Sequence, residues 1–269
     1  MKELLESWLA EDVGSGDLTS QAVVDNIACK AHVTGGLGIV SGIEVCKKLL
    51  EIVSVDYKTQ VSDGDKIDYG ELIFELSGKS YNVLKVERLL LNLLSHLSGV
   101  ATLTNNFVKE AQSVNPKVRI LATRKTLPGL RVLDKEAVVH GGGLTHRMRL
   151  DDAILVKDNH LKLDADIEHA IISARKKHPS LMVEIEVDSS KQAIAAAKFG
   201  ADRVMLDNFS IEKVVSTVSK IRNFSNIEIE ISGGIDIHNV KLFAPHGDYI
   251  SSSSLTMSAK PVDFSLHVV

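Results

Sequence analysis

From residue 118 onward the chain alternates short apolar runs with amphipathic segments, and few folds accept that order. The runs Val118–Ala122, Ala153–Val156, Met182–Val187, Arg203–Leu206, Ile227–Ile231 and Asp248–Ser251 read as strands. The segments Asp164–Lys177, Ser190–Phe199 and Ile211–Arg222 read as helices between them. Strands separated by helical crossovers lie parallel, which leaves a βα barrel or a doubly wound sheet. No strand runs into a GxGxxG turn, which argues against a dinucleotide crevice. Short crossovers and about six strands predict an α/β chain whose second part is an open six-stranded βα (TIM-like) barrel.

Each predicted strand ends in polar residues. Thr123-Arg124-Lys125 follows the first, Lys157-Asp158-Asn159-His160 the second, and Glu184 and Glu186 lead to Asp188 on the third. The later strands run into Asp207-Asn208, Ser232-Gly233-Gly234 and Ser252-Ser253-Ser254. In a βα barrel these ends converge on one face, so the succession predicts an active site there. The stretch Ala122–His160 also carries Arg131, His146, Arg147 and Arg149 around Gly141-Gly142-Gly143, on a chain whose formal net charge is −4. Cations concentrated on an acidic chain suit a small, multiply negative ligand and argue against a nucleic-acid partner held by bulk charge. Glu186 and Asp207 could hold Mg²⁺ through carboxylate oxygens and water. The Ser232-Gly233-Gly234 turn and the Ser252–Ser254 run offer N–H and hydroxyl donors to a phosphate monoester.

The first part of the chain reads differently. A helix is predicted over residues 2–10, then the turn-rich DVGSGDLTS, where acids such as Asp12 and Asp17 ordinarily satisfy backbone amides. A strand over Ile27–Thr34, a helix over Gly42–Val53, and short strands around Asp63-Gly64-Asp65 and Tyr69-Gly70 follow. That hairpin region resembles the hammerhead of biotinyl and lipoyl carriers but lacks a lysine in their attachment motif, so it reads as scaffold. Residues 80–115 form a long helical region, apolar on most faces except for Arg88, Asn92 and His96 at i, i+4, i+8. That stripe is either an internal polar network or an arginine delivered to a site across a subunit interface. Cys29 and Cys46 have no motif spacing and are expected as reduced thiols. The acidic MKELLESWLAED and the lack of a long apolar run predict neither secretion nor membrane insertion, and a cytoplasmic location.

The blocks TRKTLPGLRVLDKEAV, GGGLTHR, LDDAILVKDNH, EIEVDS, GADRVMLDNF and EISGGI, with EDVGSGDLTS and VERLLLNLLSHLSGVAT before them, resemble the quinolinate phosphoribosyltransferase family over nearly the whole chain. The resemblance implies an N-terminal α/β sandwich domain (1–114), the barrel (115–255) and a segment 256–269 returning to the first domain. It implies a homodimer in which Arg88 reaches the partner's pocket. By the same motifs Arg124, Lys125, His146, Arg147 and Lys157 would bind the carboxylates of quinolinate and phosphoribosyl pyrophosphate. Glu186 and Asp207 would face the ribose and Mg-pyrophosphate, with Lys125, Lys157, Glu186 and Asp207 in catalytic roles. Ser232, Gly233, Gly234, Ser252, Ser253 and Ser254 would take the 5-phosphate. The products would be nicotinate mononucleotide, pyrophosphate and CO₂.

The chain departs from the family pattern where Thr145 replaces Asn, Arg149 replaces Gly, Ser253 replaces Gly and Met257 replaces His. Two other readings stay open on the sequence. One is a ModD-like phosphoribosyltransferase relative acting on another base. The other is a non-catalytic relative that binds an anionic metabolite.

Overall fold

The structure is a computed structural model, and it describes residues 1–164 and 166–269. The chain divides into two compact units: residues 1–103, 139–142 and 259–269 form the first, and 104–138 with 143–258 the second.

In the first unit, α1 (Lys2–Val13) and α2 (Leu18–Val23) precede β1 (Ala28–Gly35) and β2 (Gly38–Ile39). Next come α3 (Ile43–Ile52), β3 (Asp56–Lys58), β4 (Lys66–Ile67) and β5 (Glu71–Lys79). Helix α2 starts at Asp17, whose carboxylate accepts the Ser20 N–H at 3.0 Å, so this acid does satisfy a backbone amide. Asp63 caps α3 from a distance, accepting the Gly42 and Ile43 N–H groups at 2.6 and 2.8 Å. The unit's main sheet is antiparallel, in the order β13 (Phe264–Val268), β1, β5, β3. A β2–β4 ribbon lies apart from it.

Helix α4 (Ser80–Gln112) is continuous over 33 residues, and the division between units falls within it. At 1.5 Å per residue it is roughly 50 Å long. Val83, Val86, Leu90, Leu94 and Leu97 are buried along it, while Arg88 and Asn92 are exposed.

The second unit is a curled half-barrel of parallel strands. In chain order it contains β6 (Arg119–Ala122), α5 (Arg131–His140, as far as Val138), β7 (Leu144–Thr145), β8 (Ile154–Val156), α6 (Asp158–Asp164) and α7 (Ile167–Lys177). Then follow β9 (Val183–Val187), α8 (Ser190–Lys198), β10 (Arg203–Asp207), α9 (Ile211–Arg222), β11 (Glu228–Ser232), α10 (Val240–Phe243), β12 (Tyr249–Ser252) and α11 (Ser254–Met257). The spatial order is β7-β6-β12-β11-β10-β9-β8. All six expected strands are present, and β7 adds a seventh too short for periodicity to register. The helix expected from Asp164 begins at Ile167 instead, because Asp166 accepts the His169 N–H at 2.7 Å and caps it there. Ala165 of that expected segment lies outside the described residues.

Strand alternation explains what fills the barrel. Val183, Ile185, Val187, Val204, Leu206, Ile229 and Ile231 form one face, apolar and buried beneath the helices. The opposite face carries Glu184 and Glu186, then Arg203, Met205 and Asp207, then Glu228, Glu230 and Ser232. Register stacks these into layers: Arg203 is level with Glu184 and Glu228, Met205 with Glu186 and Glu230, and Asp207 with Ser232.

Candidate active site

The upper layers open into a cavity of about 330 Å³ in the second unit. Its lining includes the cations Arg124, Lys125, Arg147 and Lys157 and the acids Glu186, Asp207 and Glu230, together with His146, Ser232 and Ser251. Arg124, Lys125, Arg147 and Lys157 follow β6, β7 and β8, and the acids lie on β9, β10 and β11. Lys157 directly precedes α6, and its ammonium contacts Glu186 at 2.5 Å. The lysine side chain keeps 42% of its exposure and the glutamate 13%, so the pair faces the cavity without being sealed from water. His160 Nδ1 accepts the Lys157 N–H at 2.8 Å and fixes the backbone there.

A buried polar network reaches into the cavity's lining through His146 and Glu230. His146 Nε2 is 2.8 Å from Glu184 Oε2 and 3.7 Å from Glu230 Oε2. The Arg147 N–H donates to His146 Nδ1 at 2.8 Å, which assigns the ring proton to Nε2 and directs it at Glu184. Both ring nitrogens are therefore engaged within the protein. Glu184 and Glu230 have no exposed surface. Burial raises Glu184 to about 7 and Glu230 to about 8, the latter with help from Glu184's own charge. Burial also lowers His146, which is held neutral. Arg203 supplies the counter-charge: burial alone would lower it, but Glu184, Glu228 and Glu230 outweigh that and raise it. Its guanidinium donates to Glu228 at 2.8 Å and Glu230 at 3.3 Å, and lies 3.9 Å from the centre of the Tyr249 ring. His146, Glu184 and Glu230 bring donor atoms within 4.8 Å of one another, but the Arg203 guanidinium already serves as the cation of that cluster.

The glycine turn after β11 is tightly specified. Gly233 has φ +85°, and a Cβ there would lie 2.5 Å from the Asn208 backbone nitrogen. Gly234 follows at φ +64°. The Ser252 hydroxyl donates to the Ile235 carbonyl at 2.5 Å and adjoins Ser254 Oγ at 2.7 Å, joining the last two strand ends. Ser253 has φ −75° and ψ −18°, an ordinary conformation for any L residue, so this serine is unstrained.

Of the residues singled out from sequence, Arg124, Lys125, His146, Arg147, Lys157, Glu186, Asp207 and Ser232 line this cavity. Gly233, Gly234, Ser252, Ser253 and Ser254 belong to the adjoining strand ends but not to its lining. Arg88 is exposed on α4 in the first unit. Met257 is 53% exposed. Leu155, Met205, Glu230 and Ser251 line the cavity without having been singled out, and Thr123, named at the first strand end, lines it as well. For Met205, Glu230 and Ser251 a signal existed, since each lies two residues before a named strand-end position or within a named run.

Comparison with known proteins gives a consistent result. The profile described as "Quinolinate phosphoribosyl transferase, C-terminal domain" matches residues 100–267, and its N-terminal counterpart matches residues 17–98. The probable nicotinate-nucleotide pyrophosphorylase [carboxylating] of Methanothermobacter thermautotrophicus is 40% identical, spanning 100% of this chain and 99% of that protein. The Bacillus subtilis protein of the same description is 36% identical over 100% and 93%. The solved nicotinate-nucleotide pyrophosphorylase from Francisella tularensis superposes with a TM-score of 0.94 at 35% identity, covering 100% and 95%. Both halves of the sequence and the fold agree: the chain belongs to the quinolinate phosphoribosyltransferase family.

Proposed function

We propose that this chain is a carboxylating-type nicotinate-nucleotide pyrophosphorylase, an enzyme of NAD biosynthesis. It combines quinolinate with phosphoribosyl pyrophosphate and forms nicotinate mononucleotide, pyrophosphate and CO₂. The observation that carries this reading is that one barrel-mouth cavity gathers four cations, Arg124, Lys125, Arg147 and Lys157, with the carboxylates of Glu186 and Asp207. A pyridine dicarboxylate fits the cations, and a sugar developing positive charge fits the carboxylates.

Arg124, Lys125 and Arg147 grip the two carboxylates, with Arg147 braced by its donation to the Ala153 carbonyl at 3.1 Å. Held this way, the ring nitrogen is directed at the anomeric carbon. As the bond to pyrophosphate breaks, Glu186 and Asp207 stabilise the oxocarbenium character left on the ribose. Lys157, beside Glu186, neutralises charge on the departing group. Once the nitrogen bonds to the ribose, the ring is cationic. The bond from C2 to its carboxylate then breaks, CO₂ leaves, the electron pair stays on C2, and C2 takes a proton. No covalent enzyme nucleophile is required. The Ser232-Gly233-Gly234 turn and the Ser252–Ser254 segment take the 5-phosphate through backbone N–H groups.

Magnesium fits the donor chemistry. Glu186 and Asp207 offer hard carboxylate oxygens on neighbouring strands, suited to an ion that keeps water and substrate phosphates in its shell. Bound there, it would offset pyrophosphate charge. We further assign a homodimer in which Arg88, exposed on α4, completes the partner's quinolinate site. The first unit's sheet and helices are taken as the family's α/β sandwich, and the second as its open barrel. Free Cys29 and Cys46 accord with a cytoplasmic location.

The test is direct. Purified protein is given quinolinate, phosphoribosyl pyrophosphate and Mg²⁺, and nicotinate mononucleotide and CO₂ are followed. Turnover with quinolinate and none with nicotinate is expected. Activity on another base alone, or binding without turnover, would overturn the assignment.

A further inference from the structure

The His146–Arg147 segment, whose side chains line the cavity, is held by a lysine that does not line it. Lys135 on α5 is 1% exposed, and its ammonium donates to the His146 carbonyl at 2.6 Å and the Arg147 carbonyl at 2.8 Å. One turn earlier on the same helix face, Arg131 Nη1 reaches the Met148 carbonyl at 3.3 Å. From the opposite side, Asp152 Oδ2 accepts the Met148 and Arg149 N–H groups at 2.6 and 3.0 Å. Consecutive carbonyls are thus drawn toward α5 and consecutive amides toward Asp152. With the backbone fixed this way, the His146 and Arg147 side chains reach the cavity.

A neutral apolar residue would fill this buried position at less desolvation cost, so the charge needs a reason. One ammonium can donate to two carbonyls at once, and charge-assisted bonds are shorter and stronger than neutral ones. We infer that Lys135 is a positioning residue for the dicarboxylate site, acting through the His146–Arg147 backbone and adding a fixed positive charge behind it. This inference rests on the reading of the cavity given above.

The charged groups around Lys135 make the idea testable by pH. Arg131 on α5, Arg124 after β6, and Arg147 and Asp152 on the segment before β8 face it, and His146 adjoins it. Burial first, and then Arg131, Arg124 and Arg147, lower Lys135 to about 8, against which Asp152 acts. A dianion in the cavity relieves that repulsion and favours the protonated amine. Quinolinate affinity should therefore decline as pH rises past about 8.

The experiment compares wild type, Lys135→Met and Lys135→Gln by quinolinate kinetics and by calorimetric binding from pH 7 to 9.5. Lys135→Met should raise the KM and Kd for quinolinate at least about tenfold, with KM rising more than kcat falls. The alkaline decline attributed to Lys135 should disappear. In an Arg147→Met background the same substitution should have a much smaller effect, since its main target is gone. Binding within twofold of wild type with an unchanged pH profile would overturn the proposal, as would an equal loss in both backgrounds. If Lys135→Met does not fold, Lys135→Gln, which keeps an N–H donor, is judged by the same criteria. If wild type neither binds nor converts quinolinate, the functional assignment fails on its own. Inorganic pyrophosphate then serves as the anionic probe in the same comparison.

Discussion

Replacing Glu230 with Gln should make the protein more stable at neutral pH while changing little in mild acid. Glu230 and Glu184 are fully buried side by side, and burial holds Glu230 protonated up to about 8. In the unfolded chain the same group ionises near the ordinary carboxylate value of about 4.5. Between those values the folded state binds one more proton than the unfolded state, so this group's contribution to stability falls as pH rises. The slope is about 1.4 kcal/mol per pH unit for one proton. Between pH 5.5 and 7.5, both inside the window, wild type should lose roughly 2 kcal/mol relative to Glu230→Gln. Gln keeps the shape and offers an N–H to Glu184, and the neighbouring Glu184, itself raised to about 7 by burial, is present in both proteins. His146, neutral and present in both proteins, largely cancels. Urea titrations at the two pH values give the difference directly. An equal stability difference at pH 5.5 and 7.5 would refute the reasoning and show that Glu230 is ionised in the folded protein.

Other outcomes follow from single contacts. Lys157→Ala removes the ammonium 2.5 Å from Glu186 and should cut turnover by about 100-fold or more. Because the pair is partly exposed, stability should change by less than about 1 kcal/mol; near-normal rates would contradict the role given to Lys157. Gly233→Ala sets a Cβ against the Asn208 backbone at a positive φ and should cost about 2–4 kcal/mol in thermal melting. Ser253→Gly should leave stability within about 0.5 kcal/mol, since the serine is unstrained, and a large gain or loss would show that its side chain matters to the turn. Chelation of Mg²⁺ should stop turnover, and a full rate in its absence would remove the metal from the site.

Much of the barrel was legible because its signal is local. Six apolar runs with polar ends mark six strands and one face, and that succession located the cavity. What pairs with what was less legible. The strands EIEV and EIEIS alternate like sheets with one face in water, whereas here the carboxyls point into the barrel and the apolar residues pack beneath helices. Only a closed environment distinguishes the two cases, and the partners that reveal it are distant: Arg203 meets Glu230 across 27 residues, and His146 meets Glu184 across 38. Lys135 was hidden for a related reason. A lysine on an amphipathic helix ordinarily reads as solvent-facing, and its burial follows from a loop that begins eleven residues later. Leu144–Thr145 is too short to carry a period, and α2 lies within a stretch rich in turn residues.

The pairing of β13 with β1 has a consequence for how the chain is made. Thr34 and Ser265 face each other in that ladder, yet they are 231 residues apart in sequence. At ribosomal speeds of about 5–20 residues per second, β1 emerges roughly 10–50 s before its outer neighbour exists. The strands and helices of the barrel are synthesised in that interval. For its duration the nascent sheet keeps one edge of unpaired amides and carbonyls, open to association with other chains. Chaperone cover or slow translation should therefore matter most for the strand that is made first and completed last.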